Sequence, residues 1–518
     1  MILRTLLILL LLLGPSTMMA GEPRRVVLIV WDGMRPDFVT SELTPVLWRL
    51  REQGVWFARH HAVYLSSTEA NGTALATGAY PRHSGLIGNF EYRPAIDRRS
   101  PIHTEDLFVI RKGESAPGTP HLAVSTLAEI LHEHDLTTAV AGTKPVALLH
   151  DRAPRTDRTL NSPVLFSTNT LPPEHSLVLT GALGASPLLA SPNSARDEWT
   201  MRALLEDFWK NGVPRYSLLW LSEPDYSQHK HGPGSPEALA AIRGSDRVLG
   251  RVLEKLDRLG LRATTDVVVV SDHGCSTVTE DVDVAASLNA GGLDAQREFK
   301  SPPKPGQIMV VGNGGSSLIY VTGHQDKVIE QAVRVLQRQP FAGNIFTREG
   351  RWGTMRLSDA LIDSPSAPDV VVAMRWQLQT NAHGCAPLIY HDGTAYKPGD
   401  GMHVTLSAAD LHNVCVAAGP DFRRGITNDI PSGNVDIAPT LLSIFGIAPV
   451  RSFDGRVLAE TLTGRDAEPP KVQTRRLEAA ANLPDGEWLQ YLQITEVNGV
   501  RYLDEGNSRF TRKAATPK

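Results

Sequence analysis

Cysteine is scarce in this 518-residue chain, which contains only Cys275, Cys385 and Cys415. Three cysteines are too few for a disulfide scaffold, and their spacing fits no cysteine metal site. One pair could bridge, or all three could be buried free thiols. An excess of charge of one sign is also missing, because 52 basic residues stand against 56 acidic ones. That balance argues against a nucleic-acid-coating protein, and no nucleic-acid-binding surface is evident.

Long apolar runs are missing beyond the first residues. The run Leu6–Leu13 contains only Leu and Ile, follows Arg4, and is followed by Ala20 as a small residue for cleavage. It is too short to cross a bilayer, which needs roughly 20 apolar residues. We predict a signal peptide over residues 1–20 and an exported, periplasmic or secreted protein without a stable membrane span after cleavage. Met18 is a poor residue near a cleavage site, so an uncleaved anchor is the alternative.

The remaining chain has the composition of a large folded protein, with 42% hydrophobic and 21% charged residues. Short β-branched runs alternate with helical segments, which is typical of a buried, mostly parallel sheet sandwiched by helices in an α/β fold. The best-marked helix runs from the N-cap Ser235 to Leu259, and another follows Asp436 and ends before Gly446. The predicted strands are Val26–Trp31, Thr138–Ala141, Ser217–Ser222, Asp266–Ser271, Val370–Met374 and Asn413–Ala418.

Two stretches interrupt this alternation, one over residues 151–200 and one within residues 280–400, where residues 280–310 are rich in Gly and Pro. In open α/β folds such insertions tend to cap the carboxyl edge of the sheet and shape a substrate pocket. After residue 465 the chain turns polar, and Asn498-Gly499 between two strand-like runs predicts a hairpin turn. We predict a catalytic domain over 21–465 and a C-terminal extension over 466–518 with a short β-hairpin.

Carboxylates and histidines recur where the predicted strands end. Alone, each has an ordinary interpretation, because an Asp after a strand usually caps a turn and a lone His is usually structural. Together they form a mixed nitrogen and oxygen ligand set that suits Zn²⁺, and three carboxylates packed without a cation would be costly. The predicted metal ligands at this edge are Asp32, Asp225, His229, Asp272, His273 and His403.

A nucleophile is available in Thr68, which begins a helix-compatible run ending near Gly78. A hydroxyl at a helix N-terminus lies at the positive end of the helix dipole. Coordination to a divalent cation could lower its pKa enough to make it reactive near neutral pH. The alternative is an ordinary Thr N-cap, which would be preferred if the metal ligands were not there.

At this point the residues resemble the nucleotide pyrophosphatase/phosphodiesterase branch of the alkaline phosphatase superfamily. The similarity covers roughly residues 25–110, 215–280 and 395–460, with the motifs in the family's order. The motifs that carry it are Thr68-x-x-Asn71, Glu223-Pro-Asp225-x-x-x-His229, Asp272-His273-Gly274, Gly401-x-His403 and Asn434-Val-Asp-Ile-Ala-Pro-Thr-Leu441.

The resemblance implies an alkaline-phosphatase-like fold and two divalent ions, with Zn²⁺ preferred. It implies that Asn89 contacts a phosphate oxygen and that Thr68 attacks phosphorus in line, forming a phosphothreonine that water then cleaves. The implied ligand sets are Asp225, His229 and His403 for one ion, and Asp32, Asp272, His273 and the Thr68 oxygen for the other.

Three positions bear on how far the resemblance extends. The usual glycine after the third histidine is Val404 here, which weakens the assignment of His403. Lys144 lies where some Thr-dependent monoesterases and phosphonoacetate hydrolases place a phosphate-binding lysine, and we predict a substrate contact, with a solvated loop lysine as the alternative. Those relatives carry a second cation two positions later, and here that position is Val146. The apolar residue at this position therefore favours phosphodiester substrates over phosphomonoesters.

Several functions stay open at this stage. The prediction is a two-metal phosphodiesterase or nucleotide pyrophosphatase acting on a small-molecule phosphate ester. A phosphomonoesterase or a phosphonoacetate-type hydrolase of the same superfamily is the alternative, and a non-catalytic metal-binding protein is a distant one. A sulfatase would need a Cys or Ser nucleophile, and phosphomutases use Ser with manganese, so Thr68 argues against both. The natural substrate and the oligomeric state do not follow from the sequence.

Overall fold

A computed structural model of the chain describes residues 23–115, 120–156, 159–393, 395–449, 451–465 and 468–513. The predicted signal peptide over residues 1–20 lies outside these ranges. None of the helices within them is long and apolar enough to cross a membrane.

In the described part of the chain, a nine-stranded sheet forms the centre of the fold. Most neighbouring strands are parallel, but Cys415–Ala418 runs antiparallel to both of its neighbours, and the edge strand Asn169–Leu171 is antiparallel to the next. The spatial order is Ile426–Asn428, Val55–Phe57, Cys415–Ala418, Thr265–Val270, Arg25–Trp31, Tyr216–Leu221, Thr138–Gly142, Val164–Phe166 and Asn169–Leu171.

Apolar cores cover both faces of the central sheet, which explains its nearly continuous hydrophobic strands. Along Arg25–Trp31, Leu28 and Val30 pack into one core, whereas Val27 and Ile29 pack into the other. The helices over the two faces and around the sheet rims are Pro45–Gln53, Thr68–Thr77, Pro81–Ser84, Leu107–Ser115, Leu127–Glu133, His175–Leu183, Ser194–Arg202, Asp225–His231, Pro236–Arg258 and Ile437–Ile444. The large, mostly parallel sheet covered by helices confirms the predicted fold class.

Two strand predictions need correction. Val370–Met374 is a strand with the predicted bounds, but it lies in a second sheet between antiparallel neighbours. A β-branched run buried on both faces looks the same in either sheet, so its sequence does not reveal its neighbours. The run Asn413–Ala418 is divided, because Asn413 pairs with His60 in a small sheet, and the central-sheet strand begins only at Cys415.

The second sheet and its attachments occupy residues 276–402 together with the C-terminus. Six strands form that sheet and four more form a sheet beside it, counting described residues only. Two further helices, Val284–Ala290 and Asp326–Leu336, pack on it. The strands are Ala295–Gln296, Ile308–Gly312, Ser316–Val321, Val370–Met374, Ala342–Thr347 and Met355–Arg356, then Trp376–Gln377, Leu388–Asp392, Ser276–Val282 and Gly401–Met402.

The C-terminal segment forms a three-stranded antiparallel meander rather than a short hairpin. Its strands are Val472–Leu483, Gly486–Val497 and Val500–Arg512, and the turn at Asn498-Gly499 joins the last two, with positive φ at both residues. The meander packs on the second sheet, where the Asn344 amide donates to the Tyr491 carbonyl at 2.7 Å. The predicted hairpin strands were short because only their buried alternate residues stand out in an otherwise polar sequence.

The three cysteines are free thiols, so no pair bridges among the residues that the structure describes. Cys275 and Cys415 are buried and Cys385 is half-buried. The segment 151–200 adds Val164–Phe166 and Asn169–Leu171 to one edge of the central sheet, followed by two helices. The division of the chain into domains at residues 20 and 465 stays a prediction.

Candidate metal centre and nucleophile

The nucleophile candidate Thr68 is the first residue of the helix Thr68–Thr77, which is buried along its whole length. Ser67 occupies the N-cap position, so the Thr68 hydroxyl is not used as a cap. The helix packs closely on the 3-10 turn Pro145–His150 and on the sheet because its Gly72 lacks a side chain: a Cβ there would lie 2.6 Å from the Val146 Cγ2 atom and 3.3 Å from the Trp220 ring. Val146 is itself fully buried beneath this helix and offers no charge to the site.

The three predicted aspartates follow adjacent parallel strands of the central sheet. Asp32 follows Arg25–Trp31, Asp272 lies just beyond Thr265–Val270, and Asp225 begins the helix after Tyr216–Leu221. Because parallel strands end at one edge, the three carboxylates converge there, and each is at most 2% exposed. The Gly33 N–H donates to Asp272 Oδ1 at 3.0 Å, and the Trp220 indole donates to Asp32 Oδ2 at 2.8 Å.

The three predicted histidines are oriented by backbone carbonyl groups. The Nδ1 atoms lie 2.8 Å from the Gly401 carbonyl for His229, 2.8 Å from Gly274 for His273, and 2.7 Å from Ser66 for His403. A carbonyl can only accept, so each Nδ1 carries the proton and donates it. That leaves each Nε2 lone pair directed at the carboxylates, which is the arrangement of metal-binding histidines.

The six side chains and Thr68 form one compact centre. His229 Nε2 lies 3.1 Å from Asp225 Oδ1, and His403 Nε2 lies 3.8 Å from the same oxygen. His273 Nε2 lies 3.6 Å from Asp32 Oδ1 and 3.3 Å from Asp272 Oδ2. The ligand atoms within 4.8 Å of one another form two groups, Asp225 with His229 and His403, and Asp32 with Asp225 and His273.

The nucleophile lies directly beside these ligands. The Thr68 hydroxyl is 3.2 Å from His273 Nε2, which accepts its proton in a hydrogen bond. Asp272 also lies beside His273, but it is not part of the second group of ligand atoms. That group contains Asp225 in the place predicted for Asp272. The structure thus brings together every residue predicted for the metal centre. Which ion each would hold stays a prediction.

The chemistry of this centre fits a cation. Asp32 Oδ1, Asp225 Oδ1 and Asp272 Oδ2 are buried and accept no hydrogen bond within the described ranges. Burial, and then the negative charge of Asp272, raise the pKa of Asp32 well above its usual value, and burial raises the pKa of Asp272 to about 7. Burial and the neighbouring His273 lower the pKa of His403 well below its usual value, so its Nε2 lone pair stays free. The lone pairs of these carboxylate oxygens and imidazole nitrogens thus converge where few hydrogen-bond donors are present. Bound divalent ions would offset the repulsion between them.

Lys144 supplies positive charge at the same place. Its ammonium lies 3.0 Å from Asp32 Oδ2, 2.9 Å from Asp225 Oδ2 and 3.5 Å from the Thr68 hydroxyl. Its side chain is 25% exposed and ion-paired, so Lys144 is not a solvated loop lysine. Despite burial, the charges of Asp225 and Asp32 raise the pKa of Lys144 well above its usual value, which keeps the ammonium protonated.

Asn89 is positioned by the first turn of the nucleophile helix. Its side-chain oxygen accepts the Glu69 N–H at 3.2 Å, so the amide nitrogen is left to donate elsewhere. Val404, the residue in the expected glycine position, has φ +79°, a left-handed conformation that favours glycine. Its carbonyl accepts the Ser316 hydroxyl at 2.5 Å, and Val404 itself is buried in the core of the second sheet. The backbone directly after His403 therefore adopts the conformation that favours glycine, although the residue there is valine.

One polar cluster next to the centre was not predicted. His103 Nε2 lies 3.3 Å from Glu69 Oε1 and 3.4 Å from Glu105 Oε1. Burial and the Glu69 carboxylate raise the pKa of Glu105 well above its usual value. The only signal in the sequence was an acidic residue immediately after Thr68, together with the His103-x-Glu105 spacing.

Fold and centre together define a member of the alkaline phosphatase superfamily. The family model for type I phosphodiesterase/nucleotide pyrophosphatase matches residues 26–385, so the chain belongs to that family. The family is metal-dependent, in agreement with the ligand groups at the carboxyl edge. The matched range ends before His403, whose place in the centre rests on the geometry given above.

Curated relatives share part of the chain. Rat ectonucleotide pyrophosphatase/phosphodiesterase family member 1 is 25% identical over 248 residues, which are 47% of this chain and 23% of the relative. Human bis(5'-adenosyl)-triphosphatase ENPP4 is 23% identical over 260 residues, which are 50% of this chain and 49% of the relative. The chain thus spans from about a quarter to about half of the length of these relatives.

Solved structures show the same fold. Murine ectonucleotide pyrophosphatase/phosphodiesterase 5 matches with a TM-score of 0.61 at 16% identity, over 85% of this chain and 100% of that chain. An inactive threonine-to-alanine form of the same murine protein in complex with AMP matches with a TM-score of 0.60. At this identity the likeness shows the fold alone.

Proposed function

We propose that this protein is an exported two-metal phosphodiesterase or nucleotide pyrophosphatase that acts through a phosphothreonine on Thr68. The observation that carries the proposal is the Thr68 hydroxyl, hydrogen-bonded at 3.2 Å to His273 within a buried set of converging metal ligands. Zn²⁺ suits this mixture of imidazole nitrogen and carboxylate oxygen, and a pair of such ions stabilises the attacking and leaving oxygens of an in-line displacement.

The chain's own residues account for each step. Asp225, His229 and His403 would hold one ion, and Asp32, Asp272 and His273 the other. The Thr68 oxygen attacks phosphorus, the first alcohol leaves with its bonding pair, and the Thr68 proton passes to solvent. Water then attacks the phosphothreonine in line and breaks the bond between phosphorus and the Thr68 oxygen. This step releases a phosphomonoester and restores the Thr68 hydroxyl. The Asn89 amide donates to a non-bridging phosphate oxygen, where charge develops.

Lys144 bears on whether the substrate is a phosphodiester or a phosphomonoester. An ammonium 3.5 Å from the nucleophile suits the extra charge of a phosphomonoester. However, the buried Val146 occupies the position where such enzymes carry a second cation. We therefore favour diesters. Murine ectonucleotide pyrophosphatase/phosphodiesterase 5 has been solved with AMP in an inactive form, which supports a nucleotide-sized substrate here.

The test is hydrolysis of a phosphodiester and a phosphomonoester chromogenic substrate by the zinc-loaded protein and by two variants. Thr68→Ala should abolish turnover of both substrates while the protein remains folded and still binds metal. Lys144→Ala should weaken monoester turnover more than diester turnover. Turnover that survives in Thr68→Ala would overturn the nucleophile, and a monoester preference would assign the protein to the phosphatases.

A further inference from the structure

An aromatic side chain that the proposed mechanism does not use lies against the metal centre. Tyr396 comes from the loop between the strands Leu388–Asp392 and Gly401–Met402, and the second strand leads directly into His403. The Tyr396 ring packs on the His229 imidazole, with 4.9 Å between the ring centroids and 33° between the ring planes. Tyr396 therefore forms a wall of the centre on the side of the ligand group to which His229 belongs.

Contacts on both sides fix the position of this ring. The His391 ring meets the Tyr396 ring edge to face, with 5.3 Å between the centroids. Further along the same loop, the Gly399 N–H donates to the Val278 carbonyl at 2.9 Å, and the Val278 N–H donates to the Asp400 carbonyl at 2.8 Å. The loop is thus tied to a neighbouring strand, which holds Tyr396 over the imidazole of the metal ligand.

The Tyr396 hydroxyl is available to a bound molecule. The side chain is half-buried, yet its hydroxyl forms no hydrogen bond with any residue that the structure describes. Burial, and then the charge of Asp225, raise the pKa of the Tyr396 phenol, whereas the charge of Lys144 acts to lower it. Asp400, in the same loop as Tyr396, acts on the phenol less strongly than these two groups of the centre. The hydroxyl therefore faces the metal centre.

The proposed in-line displacement determines which substrate atom this hydroxyl would meet. The attacking Thr68 oxygen lies 3.2 Å from His273 Nε2, beside one of the two ligand groups. The leaving oxygen departs from the opposite face of phosphorus, and in a two-metal centre that face is directed at the other ligand group. His229 belongs to that other group, so the leaving oxygen and its substituent emerge beside the Tyr396 ring.

We propose that the Tyr396 hydroxyl donates a hydrogen bond to the leaving oxygen of the ester while the bond from that oxygen to phosphorus breaks. The oxygen keeps the bonding electron pair and takes its proton from water, so Tyr396 keeps its own proton. Because charge develops on this oxygen only in the transition state, the contact accelerates the chemical step. This inference rests on the phosphodiesterase function proposed above.

The contact also narrows the substrate class. A hydrogen bond becomes stronger as its acceptor gains negative charge, and an alcohol of low acidity leaves with more charge on its oxygen than an acidic phenol does. Tyr396 therefore favours phosphodiesters whose leaving group is an alcohol of low acidity.

The experiment measures kcat/KM of the full zinc-loaded protein for a series of methyl aryl phosphates. The leaving group ranges from p-nitrophenolate, which leaves easily, to unsubstituted phenolate, which leaves poorly. Tyr396→Phe keeps the ring on His229 and removes only the hydroxyl. It should lower kcat/KM by at most about twofold for the p-nitrophenyl ester and by at least about tenfold for the phenyl ester, as expected of a hydrogen bond to a charged oxygen.

The matched control is Tyr226→Phe, the same substitution on the helix that carries His229. The Tyr226 hydroxyl accepts the Lys230 ammonium at 2.7 Å, so its removal should leave the dependence on the leaving group unchanged. Tyr396→Leu removes the ring as well as the hydroxyl. It should show the same steep dependence on the leaving group as Tyr396→Phe, together with a further loss that is equal for all esters.

Two outcomes would overturn the contact while leaving the phosphodiesterase function standing. One is a loss in Tyr396→Phe that is absent or equal for every ester. The other is a lower zinc content in Tyr396→Phe, which would show that Tyr396 acts by supporting His229. If the wild type hydrolysed none of the esters, the phosphodiesterase function itself would be refuted, and this proposal with it.

Discussion

Two groups of buried histidine and aspartate side chains in this chain have nearly the same composition. One is Asp225 with His229 and His403 at the carboxyl edge of the central sheet, and the other is His61 with His412 and Asp504, where the C-terminal meander meets the catalytic region. A histidine Nε2 lies 3.1 Å from an aspartate oxygen in both groups, His229 to Asp225 and His61 to Asp504.

The two contacts differ in what surrounds the aspartate. His61 Nδ1 donates to the Ser432 carbonyl at 2.9 Å, like the carboxyl-edge histidines, but both Asp504 oxygens have other donors. One oxygen accepts the Thr495 hydroxyl at 2.7 Å, and the other lies 3.5 Å from the Arg59 guanidinium. The Asp225 Oδ1 atom accepts no hydrogen bond from the described residues, and Asp225 also belongs to the second ligand group, with Asp32 and His273. The Asp504 carboxylate is thus satisfied by protein donors, whereas the His412 Nε2 atom beside it has no hydrogen-bond partner among the described residues. The same residue types predict a metal only where such donors are missing.

Chelation should separate the two groups most strongly. Prolonged treatment with EDTA should remove essentially all phosphodiesterase activity, because the carboxyl-edge ligands lose the ions that they are proposed to hold, and added Zn²⁺ should restore it. The measurement is turnover of a chromogenic diester together with metal content. Full activity in a verified metal-free protein would remove the distinction drawn between the two groups.

A matched pair of Asp→Asn substitutions tests the same distinction residue by residue. Asp225→Asn should lower kcat/KM by at least about 1000-fold, since the ligand belongs to both groups around Thr68 and several kcal/mol of transition-state stabilisation depend on the ions. Asp504→Asn should leave kcat/KM and metal content close to the wild-type values. A loss of bound metal in Asp504→Asn would show that the meander group is a metal site too.

The sequence predicted the carboxyl-edge group because parallel strands bring their ends together, whatever their separation along the chain. Asp32 and Asp272 are 240 residues apart, yet follow neighbouring strands. It did not predict the meander group, since His61 and Asp504 meet only through docking of the C-terminal strands on the second sheet. The Glu69 cluster was equally hidden, because the two-residue strands Phe90–Glu91 and Ile102–His103 are too short to show a period.

The meander group should contribute to stability instead of catalysis. Asp504→Asn should lower the free energy of unfolding by about 2 kcal/mol, the range of hydrogen bonds that involve a charged group. Urea unfolding with and without EDTA measures this loss, which should be the same in both conditions. A loss that disappears after chelation would mean that the substitution acts through bound metal.

The pH dependence of that contribution has a definite sign. Although burial opposes it, hydrogen bonding and charge from His61 hold the pKa of Asp504 below its usual value. A lowered folded-state pKa means that the stabilisation is present above the unfolded pKa of about 3.9 and is lost as the pH falls toward the folded one. The difference between wild type and Asp504→Asn should therefore shrink as the pH falls below about 4.

A third buried aspartate, at the opposite edge of the central sheet, should show the reverse behaviour with a smaller effect. Burial, and then the neighbouring Asp421, raise the pKa of Asp266 to about 8. Its Oδ1 accepts the Asp421 N–H at 3.1 Å, and its carboxyl group is hydrogen-bonded to the Asp421 side chain. With neither a metal-ligand group nor enough donors, this carboxylate is satisfied by keeping its proton.

Substitution Asp266→Asn should therefore stabilise the protein by about 1 kcal/mol near pH 8, because the amide keeps the accepted hydrogen bond and carries no buried charge. A raised folded-state pKa means that wild-type stability is highest below the unfolded pKa of about 3.9 and declines as the pH rises toward 8. Unfolding measured from pH 5 to 8 should give a flatter profile for Asp266→Asn than for the wild type, whereas Asp504→Asn should follow the wild-type slope. If Asp266→Asn destabilised the protein more at pH 8 than at pH 5, the Asp266 carboxylate would be ionised and paired in the fold, as Asp504 is.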